Sequence, residues 1–176
     1  MGEEKREQWL NYLALTTVLI AVCATLSTFK AGGYSTRSVL AQSQASDQWA
    51  YYQAKSIKGY LYELQKEKLE LEIMAQRLPE PVLKEYKSKV SAYDAKLAKY
   101  KSEKEEIERT ARELEKKRDE AQRHSQSFGV AVIFLQIAIL LSSISALMKK
   151  KPLWIFGLVV AAVGLVYFIN GFLLFM

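Results

Sequence analysis

Proline is almost missing from this chain. Its three prolines are Pro79, Pro81 and Pro152, so nothing forces a helix to stop in the first 78 residues or between 82 and 151. Pro79 and Pro81 each remove an amide donor and push the preceding residue out of the helical region. The stretch 78–81 is therefore a forced break. There is a single cysteine, Cys23, which excludes an intrachain disulfide and reads as a thiol packed within an apolar span. The single histidine, His124, is a poor basis for a metal centre and reads as an interfacial polar residue.

Charge is missing in blocks. Windows 8–29, 125–148 and 152–176 contain no Asp, Glu, Lys or Arg, although a quarter of the chain is charged. Each is long enough to cross roughly 30 Å of hydrocarbon as a helix. The length would fit one soluble domain, but this distribution predicts three transmembrane helices. The first window follows a start of mixed charge and is longer than a signal-peptide core, so an uncleaved anchor is expected.

Between the first two windows lies a charged segment, 34–128, divided nearly in half by the 78–81 break. Equal arms around one breaker predict an antiparallel hairpin whose ends return to the same surface. At about 1.5 Å per residue each arm would extend ~65–70 Å. The second arm has a seam with alternating steps of four and three: Tyr86, Val90, Tyr93, Leu97, Tyr100, Lys104, Ile107, Ala111, Leu114, Arg118, Ala121, Ser125 and Phe128. This is the spacing of a left-handed coiled coil. The first arm offers Leu40, Ser43, Asp47, Ala50, Ala54, Ile57, Leu61, Leu64, Lys68, Leu71, Ala75 and Leu78. The expected fold is all-α, with three transmembrane helices and a long two-helix coiled-coil hairpin between the first and second. The predicted division is 1–7 cytoplasmic, 8–29 first span, 34–128 hairpin, 129–148 second span, 149–152 basic turn and 153–176 third span. Gly32 and Gly33 predict a hinge between first span and hairpin.

The short turn Lys149-Lys150-Lys151-Pro152 carries three positive charges and no acid. Basic residues in short loops stay in the cytoplasm, whereas long loops cross regardless of charge. The expected topology has the amino terminus and this turn inside, and the hairpin and carboxyl end outside.

Residues 46–58 hold the densest aromatic cluster. The run Asp47-Gln48-Trp49-Ala50-Tyr51-Tyr52-Gln53-Ala54-Lys55 is similar to the signature of an uncharacterised family of small bacterial membrane proteins. The basic turn followed by Leu153-Trp154 extends that resemblance over most of the chain. The resemblance implies a three-span, hairpin-bearing plan in a bacterial inner membrane and carries no activity. Trp49, Tyr51 and Tyr52 fan out at about 100° per residue and cannot all fill one seam. They are expected to contact a neighbouring subunit. Asp47 is expected to pair with Arg112, or with Arg109 or Lys116, and set the hairpin register.

Within the spans the polar residues include Gln136 and Asn170, expected to bond between helices or subunits. None is ionisable, which argues against a proton relay. No phosphate-cradling loop, metal cluster or nucleophile–base set stands out, so neither catalysis nor a cofactor is expected. The hairpin's nineteen Lys and Arg are interspersed with sixteen acids, which argues against nucleic-acid binding. No small-molecule substrate is evident. The expected partners are membrane lipid, further copies of the chain and a larger membrane complex. The expected role is a self-assembling scaffold or accessory subunit, with an oligomeric conduit as the alternative.

Overall fold

The structure is a computed structural model that describes the backbone of residues 2–175 and the side chains of 8–175. The expected amino-terminal segment 1–7 thus lies outside the described side chains. Among the described residues the chain forms three helices and no strand: α1 (Gly2–Ala75), α2 (Glu80–Met148) and α3 (Lys151–Leu173). Each contains a stretch long and apolar enough to cross a membrane. The prolines fall where the sequence places them. Residues 76–79 separate α1 from α2, and the Leu83 amide donates to the Pro79 carbonyl at 3.0 Å as the next helix starts. Pro81 lies in that first turn, where a helix has no use for its missing donor.

The predicted hinge at Gly32 and Gly33 is absent, because α1 runs through both residues and no glycine adopts positive φ. Glycine in a helix costs about 1 kcal/mol relative to alanine, which lowers stability without forcing a break. The link from α2 to α3 is tighter. Lys149 takes a left-handed conformation (φ 56°) and Lys150 an extended one. The Ser145 hydroxyl donates to the Lys150 carbonyl at 2.8 Å, tying the turn to the helix it leaves.

The chain divides into two compact units, one of 1–40 with 117–176 and the other of 41–116. In the 41–116 unit the two helices run antiparallel. Tyr62 packs on Tyr93 and Tyr100, Lys66 bonds Asp94 at 2.6 Å, and Lys55 bonds Glu103. Each pair lies within about a turn of mirror symmetry about the 78–81 break. Every second-arm seam residue in this unit, from Tyr86 to Leu114, is buried or half-buried.

The first arm differs from expectation. Ser43, Asp47, Ala50, Ala54, Ile57, Leu61, Leu64, Lys68, Leu71 and Ala75 are all exposed. The inward row is Ala41, Ala45, Gln48, Tyr52, Lys55, Gly59, Tyr62, Lys66, Leu69 and Ile73, offset by two residues yet with the same spacing. The reason is complementarity. Tyr62 finds two rings on the second arm, and Lys55 and Lys66 find carboxylates, while their methylene stems cover apolar surface. A purely apolar row would leave Glu103 and Asp94 without those partners.

In the other unit the packing uses small residues. Ile20, Ala24, Ala131, Leu135, Ala138 and Ala161 form the core. Gly164 and Gly171 of α3 lie so close to α2 that a Cβ would come within 2.9 Å of Leu135 and 2.7 Å of Phe128. Leu15, Val18, Leu140, Val159 and Ile169 face outward, whereas Ser27, Ser142 and Asn170 are buried. Small and polar residues inside with bulky aliphatics outside suit a hydrocarbon surround. There, close van der Waals packing replaces hydrophobic burial as the force between helices.

Candidate interaction surfaces

The aromatic motif turns toward its own chain. The Trp49 indole Nε1 donates to Glu115 Oε1 at 2.9 Å, and its ring meets Tyr52 edge-on with centroids 5.6 Å apart. Arg112 lies over the Trp49 ring and Lys104 over the Tyr52 ring. Such cation–π contacts add to the ring packing. Trp49 and Tyr52 are half-buried, and Tyr51 is the exposed member of the three. Tyr51 too has a partner within the chain, since the Lys55 ammonium lies over its ring, so all three rings of the expected fan make contacts inside the chain.

No Asp47–Arg112 ion pair forms. Asp47 is exposed, on the outward face of α1. Arg112 instead donates Nε and Nη2 to Glu108 one turn earlier in its own helix, which raises its pKa. Register is held by Lys55–Glu103 and Lys66–Asp94. The hydrogen bond with Lys55 lowers the Glu103 carboxyl below its ordinary value, and the one with Glu103 raises the Lys55 ammonium above its own. Sequence reading missed these pairs because a lysine in a heptad seam ordinarily counts against the seam. The available signal was the 3–4 spacing of Tyr52, Lys55, Tyr62 and Lys66 opposite acids of the second arm.

The two intramembrane amides separate. Asn170 is buried and its Nδ2 donates to Ser127 Oγ at 3.0 Å, joining α3 to α2 within the chain. Gln136 is exposed, on a row of α2 with Ile133, Leu140, Ser143 and Leu147. Lys149, Lys150 and Lys151 are all exposed. Trp154 Nε1, near the start of the third apolar window, donates to Thr16 Oγ1 in the first at 3.2 Å. His124 Nδ1 lies 2.8 Å from the Gly171 carbonyl, which can only accept, so Nδ1 carries the proton. The His124 ring also stacks on Tyr34 at 4.4 Å. Among the described residues no group of three or more His, Cys, Asp or Glu could hold a metal ion.

These features define an all-helical protein with three membrane-capable helices and a charged antiparallel helix pair. The chain belongs to the family described as a domain of unknown function (DUF4337), whose profile matches residues 9–174. No curated protein and no solved structure matches it.

Proposed function

We propose that this chain is a non-enzymatic integral membrane protein that self-assembles as a scaffold or accessory subunit, through a coiled-coil hairpin held between its first two spans. In this reading it resides in a bacterial inner membrane. The amino terminus and the Lys149–Lys151 turn are cytoplasmic, and the hairpin and carboxyl end periplasmic.

One observation carries the reading. Ile57, Leu61, Leu64 and Leu71 form an outward apolar row on α1, with Leu64 62% and Leu71 61% exposed. An apolar row at coiled-coil spacing, left uncovered in a segment otherwise rich in charge, marks an association surface. A second copy is the natural occupant, because copies inserted with the same orientation present identical rows to one another. Asn170 supports scaffold over conduit, since a buried amide bonded to Ser127 offers no polar lining.

Crosslinking tests this. Cys23→Ser removes the sole cysteine, and Leu64→Cys on that background puts one thiol on the row. A short bis-maleimide applied to membranes should trap a dimer, while Lys66→Cys on the inward row should not link. Failure of Leu64→Cys to link, or equal linking by both, overturns the reading.

A further inference from the structure

We propose that Lys30, Tyr34 and Arg37 form a binding site for the phosphate of an anionic glycerophospholipid. It rests on the membrane reading above but not on self-assembly. Phe29, Lys30, Gly33, Tyr34 and Arg37 line a cavity of about 200 Å³ on α1. Lys30 is the first charged residue after the apolar window 8–29, so the cavity lies where a helix leaves hydrocarbon. Lys30 and Arg37 are two helical turns apart on one face and project from either side of Gly33. At Gly33 an added Cβ would meet no atom within 4 Å, so the floor between the two cations is open.

Among the described residues no carboxylate answers their charge. Neither Lys30 nor Arg37 joins an ion pair among the described residues, and the contacts they make are with rings. Lys30 lies over Phe172 and Arg37 over Tyr34. The sequence contains no Asp or Glu from 8 to 46 or from 121 to 176, whereas Arg123 and His124 fall within the second of these stretches. The site is also braced. His124 stacks on Tyr34 and is held by the Gly171 carbonyl, so the ring that Arg37 lies over is itself held in place.

The apolar half of the ligand has its own track. Val22, Leu26 and Phe29 continue the same face of α1 away from Lys30 toward the middle of the window, and Phe29 is 77% exposed. Two cations and the open space over Gly33 suit a phosphate, and the apolar row below suits an acyl chain. A free phosphate would use only the upper half.

The test uses the full chain reconstituted in phosphatidylcholine or in phosphatidylcholine with phosphatidylglycerol. The readouts are thermal stability and the lipid retained after detergent extraction. Phosphatidylglycerol should raise the melting temperature and be retained. Lys30→Gln with Arg37→Gln should weaken retention about thirtyfold, taking each basic side chain near an anionic surface at its usual worth. Gly33→Leu, whose Cβ meets no atom within 4 Å and whose branches occupy the open floor, should weaken it as well, while the control Arg109→Gln should not. Equal behaviour in the two lipids, or unchanged retention in both variants, overturns the site. Stabilisation by inorganic phosphate equal to that by phosphatidylglycerol overturns the lipid assignment in favour of a free anion. A chain that forms no crosslinked dimer yet shows the lipid effect upholds this site and overturns only the self-assembly.

Discussion

The indole of Trp49 donates to Glu115 and lies beneath Arg112, so the motif's largest ring is bound within its own chain. Arg112 keeps its charge for Glu108 while its guanidinium carbon lies 5.9 Å from the centroid of the ring. The same arrangement explains why Arg112 is not free for Asp47.

Trp49→Phe is expected to lower the stability of the 41–116 unit by about 1 kcal/mol. It keeps most of the apolar area and leaves Glu115 without its donor. Trp49→Ala is expected to cost more, since the contact with Tyr52 is lost too. Thermal unfolding of the full chain in detergent, followed by circular dichroism, checks both. Equal stability of Trp49→Ala and the parent would show that the ring contributes nothing within the chain.

Glycines should fall into two groups. Gly164→Ala and Gly171→Ala place a methyl group 2.9 and 2.7 Å from α2 side chains, and each should destabilise by about 1–3 kcal/mol. Gly32→Ala and Gly129→Ala meet no atom within 4 Å and should stabilise by up to about 1 kcal/mol through helix propensity. Melting in detergent separates the groups by the sign of the shift.

The Lys55–Glu103 pair gives a pH signature. Glu103 has a lowered pKa, so its contribution is present above its ordinary 4.5 and disappears as pH falls through the lowered value. Lys55 has a raised pKa, so its contribution is present below its ordinary 10.5 and disappears as pH rises through the raised value. Glu103→Gln should therefore lower the melting temperature near neutral pH and make little difference in strong acid. Because the pair is partly solvated, the shift should be small and should shrink with added salt. A shift that is the same in acid as at neutral pH would show that the charge pair is not its source.

Gln136 and Asn170 should respond differently to removal. Asn170→Ala should destabilise the chain itself by about 0.6–2 kcal/mol, the range for hydrogen bonds between helices in a membrane. Gln136→Leu should leave chain stability unchanged and lower the yield of crosslinked dimer, because its amide faces outward. Unfolding measured beside crosslinking yield tells the two effects apart.

Much of the fold is legible in the residues. Three charge-free windows become three helices apolar enough to cross a membrane, and Pro79 and Pro81 mark where α1 ends and α2 begins. The second-arm seam is legible because Tyr, Leu and Ile recur at one spacing with charge on either side. Gly157, Ala161 and Gly164, four and three residues apart on α3, are all buried. Gly32 and Gly33 misled, since a glycine pair permits a bend without requiring one.

The sequence by itself determined that the chain is helical, that it breaks at Pro79 and Pro81, and which stretches are apolar enough to enter a membrane. Those properties follow from backbone chemistry and transfer free energy, which act residue by residue. Tertiary structure alone decided which stripe of α1 faces its partner. That helix carries two rows at the same spacing, Ile57, Leu61, Leu64 and Leu71 on one and Tyr52, Lys55, Tyr62 and Lys66 on the other. Hydrophobicity favours the first row. The acids and rings of the facing helix pair with the second, where Lys55 meets Glu103, Lys66 meets Asp94, and Tyr62 packs on Tyr93 and Tyr100. Periodicity within one helix cannot register what the opposite helix offers, and so the apolar row is left on the outside.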